Sequence, residues 1–125
     1  MLKKIAIAAI ASTLIFIPTI VKAEWVFVDQ NDKFASFVDR ITKVNGKPAF
    51  FWQKIIYKTI STDNIKSVIF HEAVSCDLMA FKNLTVVFYN DRGEVLAQED
   101  NKEPLDWKYA IPGSQQEFIL KGICK

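Results

Sequence analysis

Two cysteines are the residues of this chain whose chemistry most directly constrains its fold. Cys76 lies in a run with strand character, and Cys124 ends a short helical pattern. Two cysteines in an exported chain favour a disulfide, because thiols are oxidised outside the cytoplasm. Such a bond would close a loop of about 48 residues and stabilise the fold by roughly 4 kcal/mol. The alternative is two separate free thiols, which are a liability in an oxidising compartment.

His71 is the only histidine and the next residue whose type suggests chemistry. A histidine can coordinate a metal or haem iron, or act as a base. Its neighbours on the same strand face are Ile69 and Ala73, whereas a zinc site needs several convergent ligands. We therefore expect no metal and no cofactor, and we interpret His71 as a solvent-facing or interface side chain.

Three carboxylates, Glu99, Asp100 and Glu103, are close enough in sequence to suggest acid–base catalysis. They lie in a polar stretch before Pro104, where solvated charge is the ordinary explanation. The four glycines are scattered, and they form neither a phosphate loop nor a serine-nucleophile motif. The sequence predicts no catalytic residues and a protein that is not an enzyme.

The first 23 residues have the pattern of a secretory signal peptide. A basic opening precedes an apolar run over residues 5–21, and Val21 and Ala23 are small residues before the expected cut. The alternative is an uncleaved membrane anchor, for which the run is slightly short. We expect cleavage, a mature chain without a membrane span, and export to the periplasm, the cell surface or the medium. No cysteine near the cut is available for lipid attachment.

The mature region, 24–125, is expected to form one small domain with almost no net charge. The whole chain of 125 residues has 16 basic and 14 acidic residues. Three of the lysines and none of the acids precede residue 24, which leaves a mature net charge of −1. This balance argues against a nucleic-acid partner, which needs a clustered basic surface.

Hydrophobic periodicity in the mature region predicts an α+β fold with six strands and one C-terminal helix. The predicted strands are 24–29, 34–39, 49–58, 65–77, 81–89 and 94–98, and a charged loop follows over 99–104. Asn45-Gly46 predicts a hairpin turn because both residues tolerate positive φ. Short turns indicate an antiparallel meander, with the helix as a second layer on one face. The third strand is apolar on both faces and should be internal.

The helix is predicted to begin at Ser114 and to end at Cys124. Ser114 and Glu117 have the spacing of a capping box. Leu120 and Cys124 lie four residues apart and share a helix face, which should meet Cys76 on the sheet. In the fourth strand Cys76 lies on the same face as Val68, Phe70 and Val74. This is the more apolar face of the strand, so it is predicted to be the core face.

The second face of the sheet is expected to stay uncovered, because one short helix can cover only one face. Exposed apolar surface usually marks an interface. We predict a homodimer or partner contact on this face. The residues assigned to it are Phe51, Ile55, Ile69, His71 and Val87. The alternative is that the aromatic residues of this region are ordinary core.

Several motifs, taken in order, resemble the surface-adhesin protein E-like family of small exported bacterial proteins. They are Trp25, Phe37-Val38-Asp39, Phe51-Trp52 with Tyr57, Cys76, Trp107, and Pro112-Gly113-Ser114 before a helix ending at Cys124. The resemblance implies a six-stranded antiparallel sheet with a C-terminal helix held on its concave face by a disulfide. It also implies dimerisation and binding of haem and of host proteins such as vitronectin, laminin and plasminogen.

Two functions are consistent with these features. The first is an exported, non-enzymatic binding protein that contacts host extracellular-matrix or plasma proteins. The second is a periplasmic structural or accessory protein with no adhesive role. No family binding residue can be placed on this sequence.

Overall fold

An antiparallel sheet whose six main strands follow one another in sequence order forms the body of the protein. The computed structural model describes residues 24–125, and the predicted signal peptide lies outside the described residues. The elements are β1 (Val26–Gln30), β2 (Phe34–Val44), β3 (Lys47–Tyr57), β4 (Ser67–Ser75), β5 (Ala80–Tyr89), β6 (Val95–Asp100), β7 (Lys108–Tyr109) and α1 (Gln115–Ile123). The predicted fold class is confirmed. No helix in this part of the chain is long and apolar enough to cross a membrane.

The predicted hairpin between β2 and β3 is confirmed. Asn45 and Gly46 have φ angles of +54° and +78°, as a tight turn with two left-handed residues requires. Val44 pairs with Lys47 across this turn, so both strands run up to it and β2 is longer than predicted. β3 lies between β2 and β4, which confirms its internal position.

The edge of the sheet beyond β5 differs from the prediction. Glu99 and Asp100 pair with Val86 and Thr85, so they belong to β6 and the charged loop begins only at Asn101. Two-residue β7 then pairs with the start of β5, beyond the reach of β6. A strand of two residues has no periodicity to reveal it in the sequence.

The N-terminus of α1 is capped much as predicted. The Ser114 hydroxyl oxygen accepts a hydrogen bond from the Glu117 backbone N–H at 3.2 Å. The Glu117 carboxylate accepts one in return from the Gly113 N–H, at 3.0 Å, one residue before the cap itself. Two otherwise unpaired donors at the helix start are thereby satisfied.

α1 packs on one face of the sheet and closes the main core. Residues from the two layers form a buried cluster of Phe51, Val74, Ile119, Leu120 and Ile123. The Cys76–Cys124 disulfide joins the residue after β4 to the C-cap of α1, with 5.5 Å between the two Cα atoms. The predicted docking of the helix and the predicted disulfide are both confirmed.

The prediction that Phe51 and Ile55 lie on the uncovered face of the sheet is wrong. Phe51 is 0% exposed and lies in the core beneath α1. It pairs with Glu72, and Ile55 pairs with Val68, which places both on the face of β4 that also leads to Cys76. The alternation of side chains within each strand is as predicted, but only the pairing register decides which face of β3 matches which face of β4.

Two buried polar contacts lie between the first turn of α1 and the sheet. Glu72 is 1% exposed, and its carboxyl accepts a hydrogen bond from the Gln116 side-chain amide at 2.7 Å. The buried Ser36 hydroxyl donates to the side-chain carbonyl of Gln115. Burial raises the pKa of the Glu72 carboxyl to about 8, against the smaller lowering effect of the Gln116 bond. Glu72 is therefore mostly protonated at neutral pH.

Replacement of Leu120 tests the docking of the helix. We expect Leu120→Asp to lower the free energy of unfolding by roughly 3–5 kcal/mol, because a charge would enter a fully buried site. Urea unfolding of the oxidised protein spanning residues 24–125 measures this change. Phe118→Asp, on the same helix but at a 57% exposed position, should change stability by less than about 1 kcal/mol. An unchanged unfolding midpoint for Leu120→Asp would contradict the docked helix.

Replacement of Glu72 tests the buried carboxyl. Its pKa is about 8 in the folded protein against 4.5 ordinarily, so its stabilising contribution is complete below pH 4.5 and is lost as pH rises through 8. We expect Glu72→Gln to be more stable than wild type at pH 8.5 by roughly 2–4 kcal/mol and to differ little at pH 4. Denaturant titrations at both pH values measure the difference. If the free energy of unfolding depended on pH equally in the two proteins, ionisation of Glu72 would not destabilise the fold, which would contradict the prediction.

Candidate functional site

The sheet face opposite α1, called here the open face, carries an aromatic cluster. Trp52 of β3 and His71 of β4 form a directly opposed cross-strand pair. Their rings stack with centroids 4.4 Å apart and planes 18° apart. Phe50 also stacks on His71, at 5.9 Å. Opposed residues on neighbouring strands are close enough for such contacts, so the register of β3 and β4 creates the cluster.

The environment of His71 favours its neutral form. The side chain is half-buried among aromatic rings, and this burial lowers its pKa below the usual value of 6.5. A neutral imidazole is therefore in place at neutral pH. Within residues 24–125, no group of three or more His, Cys, Asp or Glu side chains is arranged to hold a metal ion.

A cleft of about 280 Å³ opens beside this cluster. It runs across the strands, because β2 to β6 and the residue before β1 all contribute side chains to its wall. The lining residues are Trp25, Asp39, Arg40, Trp52, Ile69, Thr85, Val87, Tyr89 and Gln98. Apolar and aromatic walls with a few polar groups are typical of binding sites for other molecules.

A β-bulge in β2 places two charged residues at the rim of this cleft. Asp39 pairs with Trp52, but the next paired residue is Thr42, so the register shifts between them. Arg40 sits in the bulge at φ +52°, a conformation that costs a non-glycine residue about 1 kcal/mol or more. Asp39 accepts a hydrogen bond from the Glu24 N–H at 3.2 Å and lies 3.5 Å from the Arg40 Nε. The Arg40 side chain remains 48% exposed, so its guanidinium is available to a partner.

A cation lies over the ring of Trp25, which also lines this cleft. The Lys54 ammonium lies 5.7 Å from the centre of the Trp25 ring. Such a cation–π contact contributes about 0.5–1 kcal/mol where the groups are exposed. The contact orders a tryptophan that lies outside any strand and helps to present it to the cleft.

Three residues of the predicted interface, Ile69, His71 and Val87, lie on the open face. Val87 is only 8% exposed and Ile69 is half-buried, so the broad exposed apolar face that we expected is not present. The strongly exposed apolar side chains lie mainly at the sheet edges and around the helix; they include Val26, Phe27, Val95, Tyr109, Ile111 and Phe118. The use of the open face as an interface stays a prediction.

Sequence reasoning missed the residues that shape the cleft most. Phe51 points into the core, so its neighbour Trp52 points to the open face. The sequence predicts that these two residues lie on opposite faces, but the register is needed to tell which face is the core. Arg40 and Asp39 depend on a bulge that leaves no pattern in the sequence. The carboxylate of Glu103, a candidate catalytic group in the sequence, lies in an exposed loop and pairs at 3.4 Å with Lys82 of β5.

Protonation of His71 tests the aromatic cluster. Because its pKa is lower in the folded protein than the ordinary 6.5, stability is complete above pH 6.5 and falls as pH drops through the folded value. We expect the His71 ring resonances to titrate with a midpoint below 6.5 in NMR spectra of the protein spanning residues 24–125. Protonation of His71 should also change the fluorescence of Trp52, because the two rings stack. His71→Phe should keep an aromatic ring on Trp52 and abolish this pH-dependent change in fluorescence. A midpoint at or above 6.5 would contradict the buried, neutral imidazole.

Comparison with known proteins places this arrangement in one family. The sequence profile of the family described as Surface-adhesin protein E matches residues 25–125, which is nearly all of the part that the structure describes. No curated protein shows a significant match to the chain. No solved structure does so either. The chain belongs to the Surface-adhesin protein E family.

Proposed function

We propose that the mature protein is an exported, non-enzymatic binding protein that contacts host extracellular-matrix or plasma proteins through the open-face cleft. Membership of a surface-adhesin family supports the adhesive class of function. The cleft supports the choice of surface, because α1 covers only the other face of the sheet.

The single observation that carries the choice of surface is the composition of the cleft. Trp25, Trp52, Tyr89 and Arg40 meet there within one depression. Tryptophan, tyrosine and arginine are the residues that most often dominate the binding energy of protein interfaces. Aromatic rings supply apolar area without much loss of side-chain entropy, and the guanidinium offers several directed donors to an acidic or carbonyl-rich partner.

Homodimerisation is the competing use of the same surface. The face also contains Ile69 and Val87, which we assigned to a dimer contact from the sequence. A stable dimer buries about 800 Å² per partner, so it would have to cover the whole cleft and its surroundings. Sedimentation equilibrium of the mature protein at high micromolar concentration separates the two uses. A monomer at that concentration leaves the cleft free for a host protein.

Solid-phase binding of the mature protein to vitronectin and laminin tests the proposal. We expect saturable binding, reduced about tenfold or more by Arg40→Glu, which reverses the charge at the cleft rim. Arg92→Glu is the matched control, because Arg92 is an exposed arginine in the turn before β6 and is not part of the cleft. Its binding should equal that of wild type. The proposal would be contradicted if the protein bound neither vitronectin nor laminin, or if Arg40→Glu and Arg92→Glu weakened binding equally.

Cell fractionation distinguishes the adhesin from the periplasmic accessory protein. An adhesin should be cleaved by protease added to intact cells, or should be recovered from the medium. The disulfide-linked fold is compatible with either compartment, because both are oxidising. A protein confined to the soluble periplasm and protected from external protease would favour the accessory role.

A further inference from the structure

The first residue after the predicted cleavage site contacts the rim of the open-face cleft. Glu24 directly follows Ala23, where the sequence predicts removal of the signal peptide. The Glu24 backbone N–H donates a hydrogen bond to Oδ2 of Asp39 at 3.2 Å. Asp39 lines the cleft, and its side chain is only 12% exposed. Cleavage after Ala23 would therefore turn the donor at this position from a peptide N–H into an α-ammonium group.

This contact lies just beyond the last backbone pair between β1 and β2. β1 begins at Val26, which pairs with Val38. The bulge in β2 interrupts the ladder immediately after Asp39, and it is the side chain of Asp39 that accepts the bond from Glu24. Trp25 lies between these two points of attachment. Its position in the cleft wall therefore depends on the strand on one side and on the Glu24 contact on the other.

The charge of the donor decides how strong this attachment is. In an uncleaved chain the Glu24 nitrogen belongs to a peptide bond, with a single N–H and no charge. A free α-amino group has an ordinary pKa of about 8, so it is mostly charged at neutral pH. A charged donor adds Coulomb attraction to its hydrogen bond with a carboxylate. The gain is larger for Asp39 than for a fully solvated acid, because solvent screens a partly buried pair less.

The oxygen of Asp39 that accepts this bond also faces Arg40. The Arg40 Nε lies 3.5 Å from Oδ2, which is longer than a hydrogen bond, and the Arg40 side chain is 48% exposed. An ammonium group at Glu24 would share this carboxylate and weaken its attraction for the guanidinium. Cleavage would also add one positive charge to the rim, near the Lys54 ammonium that lies over the Trp25 ring. A rim with these cations favours an acidic partner.

We propose that signal-peptide cleavage completes the open-face cleft through a pair between the new α-ammonium group of Glu24 and the Asp39 carboxylate. The pair fixes Trp25 in the cleft wall and leaves the Arg40 guanidinium to an acidic segment of a partner protein. The uncleaved chain lacks the ammonium group, so it binds such a partner less tightly and binding is coupled to export. The pair depends on cleavage at this site, and only the binding step rests on the proposed function.

Thermal unfolding of the protein spanning residues 24–125, with Glu24 as its first residue, tests the pair. Enzymatic acetylation of the α-amino group removes its charge and should lower the melting temperature by about 2–6 °C. In Asp39→Asn the same acetylation should change the melting temperature by less than about 1 °C, because the partner charge is already gone. Asp32→Asn is the matched control. Asp32 is an exposed acid between β1 and β2, so acetylation should act in this variant as in wild type.

Two results of this comparison would overturn the proposal. One is an unchanged melting temperature on acetylation of the wild-type chain, and the other is an equal decrease in Asp39→Asn. N-terminal sequencing of the exported protein should give Glu24 as the first residue, and a different first residue would overturn the proposal as well.

NMR spectra report on the position of Trp25 directly. Acetylation should shift the indole N–H resonance of Trp25, which lies next to the modified residue. The indole resonance of Trp107 should stay unchanged, because Trp107 precedes β7 and so lies beyond β5, away from β1. Equal shifts of both resonances would indicate a general loosening of the fold and would contradict the local pair.

Solid-phase binding to vitronectin tests the consequence for the cleft. Acetylation should weaken binding about two- to fivefold, because one charge is lost at the rim. Unchanged binding would overturn the coupling of the cleft to cleavage. A protein that binds neither vitronectin nor laminin in any form would contradict the proposed function, whereas the thermal comparison would still decide whether Glu24 pairs with Asp39.

Discussion

The docking of α1 under the Cys76–Cys124 bond is the interaction on which the rest of this structure depends. A helix of nine residues is marginal by itself, so its stability comes from packing against the sheet. The disulfide fixes its C-cap at the end of β4, and Leu120, one turn earlier, is then held over Phe51. Without this contact the sheet would have no covered face, and a domain of this size has little other core.

Covering one face has a direct consequence for the other. β3 carries large side chains on both faces, and α1 takes only the face with Phe51. Trp52 and Phe50 are left on the open face, where they are partly covered by stacking on His71. Aromatic rings that cannot reach the core thus cover one another, and the cleft lies beside them, with Trp52 and Arg40 both in its wall.

Two adjacent ionisable residues in the central strand β4, His71 and Glu72, are both held in their uncharged forms. His71 points to the open face and Glu72 to the core, because successive side chains of a strand alternate. Burial acts in opposite directions on their pKa values, downward for the histidine and upward for the acid. Both changes favour the uncharged form. The centre of the sheet therefore carries no net charge at these two positions near neutral pH, which limits the cost of placing polar residues there.

The sequence by itself determined the six main strands, the Asn45-Gly46 turn, the capped helix and the disulfide, because each depends on local periodicity, turn chemistry or the count of cysteines. It also placed Cys76 on the core face. Only the tertiary structure decided which face of β3 joins that core, because the register between strands is a long-range property. The same is true of the bulge that presents Arg40. The cleft arises where separate strands meet, and no local sequence pattern predicts which residues come together there.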